Sequence, residues 1–242
     1  MVPRRCGFRT VQRHGINMTN APSQRRLRRS NQPELASRFA TLAQEAALCR
    51  ACPRLAERGA VLGPPNGSLT PRVLFIGEAP GRRGADRTRV PFHGDASGRC
   101  FEYLLASAGL TREEVFITNA VLCCPADDAR NHPPTTAEVR QCGRFLGRTL
   151  DMLRPPVVAT VGAIALRSLG YLIKHRWHLS EVSGTIIRLQ DFLLVPLYHP
   201  SPRVLHTVRS QSQQEADFQI LARCIQASRP RKPRAGARPT AT

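Results

Sequence analysis

The chain has 242 residues, 41% of them hydrophobic, enough for one well-buried core and too few for two full-sized domains. No apolar run is long enough to span a bilayer, and the opening residues MVPRRCGFRTVQRHG hold no apolar stretch of the kind a secretory signal needs, so neither a transmembrane helix nor a secretory signal is expected, while the Arg-rich, acid-free opening leaves an organellar transit peptide open. The net charge of +19 is unevenly spread: residues 1–33 carry +8 and residues 229–242 carry +5, both without a single acid. These two stretches lack apolar periodicity and are expected to be disordered basic extensions around one folded domain at 34–228. Basic tails on a mildly basic core suit a polyanion, most often nucleic acid.

In chain order, PELASRFATLAQEAALC has apolar residues at helical spacing and predicts an amphipathic helix ending near Cys49. RVLFIGE (72–78) is a short apolar run bounded by turn residues, hence a buried strand. Pro80 to Gly98 is rich in Gly, Arg and Asp and reads as a long loop. GRCFEYLLASAGL resumes a helical period and stops at Gly109, and EVFITNAV (114–121) is a second strand. TTAEVRQCGRFLGRTLDML predicts a helix with a threonine N-cap and Glu138 in its first turn. PVVATVG (156–162) is a third strand followed by the helix AIALRSLG. FLLVPLYHP (192–200) is a fourth strand, and QSQQEADFQILARCIQ is a last helix. Strands alternating with helices predict an α/β fold, a three-layer αβα arrangement around a mostly parallel four-stranded sheet.

Four cysteines stand apart from the rest. Cys49 and Cys52 form a C-x-x-C, Cys123 follows the second strand, and Cys142 lies in the helix after it. Eight cysteines in a chain without an export signal do not form a disulfide framework, so a reducing, intracellular compartment and a metal centre are expected. Four thiolates suit zinc or an iron–sulfur cluster equally.

Parallel sheets bind ligands outside the carboxyl ends of their strands. Here those ends supply Gly77 and Glu78, Asn119 and His199. Each has a bland role open to it: a capping acid, a turn former, a surface histidine, and for Phe92 an ordinary core aromatic. Together, a carboxylate, an amide, a flat ring and an imidazole suit recognition of a nucleobase.

On these residues the chain resembles a known family. GEAPG (77–81), PFHG, ITNAVLC, NHPPTTAEVRQC and LYHPS are similar, in order and with the four cysteines, to motifs of the uracil-DNA glycosylase superfamily, especially its iron–sulfur branches, families four and five. The GEAPG opening resembles family four and assigns the acid to Glu78. The loop GADRTRVPFHGDASG resembles family five and offers Asp95 instead. The resemblance implies hydrolysis of the N-glycosidic bond of a flipped-out deoxyuridine in DNA, with other deaminated bases such as hypoxanthine or xanthine as further candidate substrates. Gly77, Ala79, Pro80 and Gly81 would line the base site and Phe92 would stack on uracil. Asn119 would read the pyrimidine edge, and His199 would donate to the developing oxyanion. Glu78, or else Asp95, would position water. After His199, Ser201 and one of Arg203, Val204 or Leu205 would meet the duplex as a wedge. Cys49, Cys52, Cys123 and Cys142 would hold a structural [4Fe–4S] cluster, with zinc as the alternative. The protein would act as a monomer. One departure is that LCCPADD replaces the family's usual KCRPP, so two acids, Asp127 and Asp128, stand where basic residues are usual. The alternative to a glycosylase is a non-catalytic nucleic-acid-binding module of the same fold.

Overall fold

The computed structural model describes residues 9–10, 32–127 and 129–227. The basic extensions therefore lie outside the described residues, apart from Arg9–Thr10 and the first two residues of the opening helix. Asp128 also lies outside them.

Among the described residues six strands form one sheet: β1 (Arg9–Thr10), β2 (Val73–Gly77), β3 (Val115–Asn119), β4 (Val157–Val161), β5 (Ile187–Arg188) and β6 (Leu193–Leu197). Their order across the sheet is β1-β5-β6-β4-β2-β3. The four longer strands are those expected from the sequence, and all run parallel. The count of four is corrected to six by two-residue strands at one edge, β5 antiparallel to β6 and β1 parallel to β5. Two residues are too few to carry an alternating pattern, so the sequence holds no period to reveal them.

All five residues of β2, β3 and β4 are buried, as expected when helices cover both faces. Alternate residues point to opposite layers. On one face Val73, Phe75, Val115, Ile117, Ala159 and Val195 meet α3 (Ala96–Ser107) and α8 (Gln211–Ala227) through Phe101, Leu105, Phe218 and Leu221. On the other face Leu74, Ile76, Phe116 and Val158 meet α1 (Gln32–Ala47), α4 (Thr136–Leu153) and α5 (Ala163–Ile173) through Phe39, Leu146 and Leu166. The layers are thus αβα. Among the described residues three shorter α-helices, α2 (Ala85–Thr88), α6 (Leu179–Val182) and α7 (Pro202–Thr207), and three single-turn 3-10 helices at Pro53–Leu55, Pro64–Asn66 and Arg112–Glu114 complete the fold. Among the described residues no helix is long and apolar enough to cross a membrane.

The topology already places a site. β2 is central, and the chain leaves it first toward β3 and later returns to its other side as β4. That reversal opens a crevice beyond the carboxyl ends of β2 and β4.

Candidate active site

Gly77 ends β2 directly opposite Asn119, which ends β3. A Cβ at Gly77 would collide with Asn119 Oδ1 and would lie 3.1 Å from Phe92 Cε2. Only glycine therefore lets the amide and the ring close in over the strand end. Asn119 is 4% exposed, yet among the described residues no protein group hydrogen-bonds its side-chain amide, and its polar atoms are not sealed off. The amide is held in place by packing while its polar atoms stay open to solvent or a ligand.

Phe92 packs one face on Phe101, with centroids 4.5 Å apart and planes 16° from parallel. Its ring centroid lies 5.6 Å from that of His199. His199 follows β6, whose end is tied to β4 by the Gly162 N–H donating to Leu197 O at 2.8 Å. Its own carbonyl accepts from Gln214 Nε2 of α8 at 3.5 Å. Loss of water around the imidazole pushes it down to about 4, with the Asp95 carboxylate pulling the other way. His199 is therefore a neutral imidazole at physiological pH, and an N–H donor.

The two acids differ. Glu78 is half-buried, and among the described residues its carboxylate has neither hydrogen bond nor ion pair. Burial raises it above the usual carboxylate range, opposed by the charge of Arg167. Asp95 already has a structural task. It is the N-cap of α3, where Oδ1 accepts from Gly98 N–H at 2.8 Å. Its Oδ2 packs against Gly84 and would lie 3.1 Å from a Cβ at Gly81. The expected long loop is thus interrupted by α2 and ends one turn earlier than anticipated, because Asp95 opens α3. The D-A-S-G run ahead of an apolar-periodic segment is a capping signal that sequence reasoning left unused.

Ala79 is half-buried and Pro80 buried in the turn that leads from Glu78 to Gly81. That turn is clamped to the 125–132 loop. Arg82 N–H donates to Asn131 Oδ1 at 3.0 Å, and Arg82 Nη2 donates to Ala129 O at 3.1 Å. In the same loop Asp127 accepts from the Ala129 and Arg130 N–H groups and pairs with His132 Nε2 at 2.6 Å. These contacts hold its carboxyl well below the usual range. Asp127 therefore shapes the loop. Asn131 opens the NHPPTTAEVRQC motif, whereas no sequence signal marks Arg82.

Beyond His199, Ser201 caps α7 by accepting from Val204 N–H, and Pro202 starts the helix. Arg203 is exposed, whereas Val204 and Leu205 are half-buried. The most exposed large apolar side chain of this segment is Val208, at 55%.

Cys49, Cys52, Cys123 and Cys142 line one cavity with Ala46, Leu55, Leu122 and Phe145. Cys124 does not: it is buried elsewhere, its thiol against Asp86. Leu122 N–H points at Cys142 Sγ at 3.3 Å, and Arg144 Nη2 reaches Cys49 Sγ at 3.1 Å. Burial pushes the Cys142 thiol up to about 12 and the Cys123 thiol up to about 11. Among the described residues no three His, Cys, Asp or Glu side chains close tightly enough to grip a single metal ion. The cavity is braced by Arg54, two positions after Cys52. Its guanidinium forks onto Glu138 at 2.9 and 2.7 Å, one helical turn before Cys142. Glu138 also closes a capping box with Thr135.

The family model described as the uracil DNA glycosylase superfamily matches residues 64–222. Among curated proteins, the chain is 34% identical to a type-4 uracil-DNA glycosylase of Archaeoglobus fulgidus over 64% of this chain and 77% of that protein. It is 35% identical to the type-4 enzyme of Thermotoga maritima over 63% of this chain and 76% of that protein. It is 30% identical to a type-5 uracil-DNA glycosylase of Pyrobaculum aerophilum over 60% and 68% respectively.

Proposed function

The chain belongs to the uracil DNA glycosylase superfamily, and from that premise we propose that it excises uracil from DNA by hydrolysing the N-glycosidic bond, the first step of base excision repair. The observation that carries this reading is the Asn119 amide, buried, unmatched by any described protein group, and fixed beside Gly77 and Phe92. An amide offers one donor edge and one acceptor edge, which complements the O4 and N3–H of uracil and mismatches cytosine. Phe92 supports the flat base.

As the bond from C1′ to the base breaks, the electron pair moves to the uracil ring and its carbonyl oxygens. His199, a neutral donor, stabilises that charge without needing to give up its proton. The sugar becomes oxocarbenium-like. Water then adds to C1′, and its proton passes to the Glu78 carboxylate or to solvent. Glu78 is the better candidate for this task because its carboxylate is free, whereas Asp95 serves as a helix cap and as a distant counter-charge to His199. In this reading Arg203, Val204 or Leu205 of α7 meets the duplex. The protein works on DNA as a monomer inside the cell.

We also propose that Cys49, Cys52, Cys123 and Cys142 hold a [4Fe–4S] cluster. Four thiols around one largely apolar cavity suit such a cluster, and the likeness to the iron–sulfur branches favours it over zinc. Donors already aimed at two of the sulfurs suit thiolates. Such a cluster supplies cross-links between α1, the β3 connection and α4, and no electron to a hydrolysis.

The test is a single-turnover assay on a duplex with one uracil, followed by alkali to reveal abasic sites. Excision is expected, with a large loss in Glu78→Gln and a smaller one in Asp95→Asn. The reverse order would move the acid to Asp95. No excision by the unaltered chain would leave a binding module. Asn119→Asp should relax discrimination against cytosine, which polar matching can hold at ~10⁴-fold or more.

A further inference from the structure

We propose that Arg112 is a positioning residue for base recognition, acting through Phe92. The inference rests on the proposed reading in which Phe92 supports the flipped base.

Phe92 has φ +48°, in the left-handed region that side chains other than glycine rarely adopt. Such a conformation persists only where the surroundings over-determine it, and it recurs at ligand clamps. Arg112 is the source of that constraint. One guanidinium nitrogen, Nη2, donates to two successive carbonyls, Pro91 O at 2.8 Å and Phe92 O at 2.7 Å. These oxygens flank the strained residue. The Nε–H of the same group pairs with Glu102 on α3. The neighbour of Glu102 is Phe101, the fully buried ring on which Phe92 stacks. Arg112 thus ties the Phe92 backbone to the helix that carries the ring beneath it. From the other side, a Cβ at Gly98 would lie 2.8 Å from Phe92 O, so the first turn of α3 presses on the same carbonyl.

The chemistry requires arginine. A planar fork can serve a carboxylate with Nε and two carbonyls with Nη2 at once, and a lysine ammonium cannot. Arg112 sits in the turn before β3, at the opposite end of that strand from Asn119. It touches neither base nor sugar, and its effect passes entirely through the ring.

A double-mutant cycle tests this on the full chain. Arg112→Met, Phe92→Leu and the double variant are measured for binding to two duplexes, one with a non-hydrolysable 2′-fluoro-deoxyuridine and one with a tetrahydrofuran abasic analogue. Arg112→Met should weaken binding to the uracil duplex on the order of tenfold, the size of one base–aromatic stacking contact. Binding to the abasic duplex should not change, because it offers no base to stack. In the Phe92→Leu background the Arg112 substitution should cost nothing more on the uracil duplex. Equal weakening on both duplexes, or full additivity, overturns the role and leaves a loop staple. If Arg112→Met does not fold, Arg112→Lys must reproduce the pattern, and unchanged uracil binding in that variant overturns the proposal. An unaltered chain that excises uracil while the cycle is additive loses only this role. An unaltered chain without excision loses the functional reading and this role together.

Discussion

The crevice and the cysteine cavity share one short connection, Asn119 to Cys123, yet they are built on opposite terms. The crevice gathers polar groups whose hydrogen-bonding capacity no described protein group takes up: the Asn119 amide, the Glu78 carboxylate and the His199 ring. The cavity wall is apolar apart from Gln141 and the thiols, and it is braced by matched polar groups, Arg54 with Glu138 and Glu138 with Thr135. The groups of the crevice are not sealed in, so solvent or a ligand can take up that capacity. The difference therefore separates a surface kept ready for a ligand from a joint that holds segments together.

The sharpest way to break the comparison is to remove a thiol. Cys142→Ala should give colourless, largely insoluble protein, because ligand binding that joins distant segments is folding energy. Cys124→Ala, outside the cavity, should keep its metal. Iron analysis and soluble yield decide, and equal metal in both variants would dissolve the distinction. His199→Ala should behave in the opposite manner. We expect soluble, coloured protein whose single-turnover rate falls ~10²–10³-fold, the loss typical of one oxyanion donor. Gly77→Ala pushes Asn119 and Phe92 apart and should cost about 10²-fold in rate with metal content intact, since small misplacements carry costs of that order. A metal-depleted Gly77→Ala would mean that the two regions are not separable.

The smallest effect concerns stability. Burial raises Glu78 above 4.5, so its ionised form is unfavourable in the folded chain. A carboxyl with a raised folded pKa contributes stability at low pH that is lost as pH rises through that value. At pH 7 Glu78→Gln should therefore melt about 2–4 °C higher than the unaltered chain, though far less active. Well below the ordinary carboxylate pKa the difference should disappear, since the carboxyl is then neutral in the folded and the unfolded chain alike. A lower melting point at pH 7 would show that the carboxylate helps to hold the fold.

Much of this was legible in the sequence for identifiable reasons. The longer strands announce themselves because five consecutive buried residues between turn formers leave few other solutions. Glu78, Asn119 and His199 follow from the rule that parallel strands present their carboxyl ends to ligands. The four cavity cysteines follow from spacing and count. Three things were not legible. β1 and β5 are too short to show a pattern. Asp95 stands as a candidate acid by the likeness of its loop, and its second task, capping α3, is not legible from that likeness. Arg112 and Arg54 act across long sequence separations on carbonyls or a carboxylate that no local pattern links to them. An arginine in a basic chain carries no mark of which backbone it will hold.

Every residue lining the cysteine cavity falls between Ala46 and Phe145. When the ribosome has made α4, all four thiols exist, while β4, β5, β6 and His199 are still to be translated. The emerging chain can thus close its cavity around β2, β3 and α4 before the remaining strands arrive to complete the sheet. All four thiols that would hold a cluster are thus translated before His199, so loading such a cluster would require none of the chain's last reacting side chain.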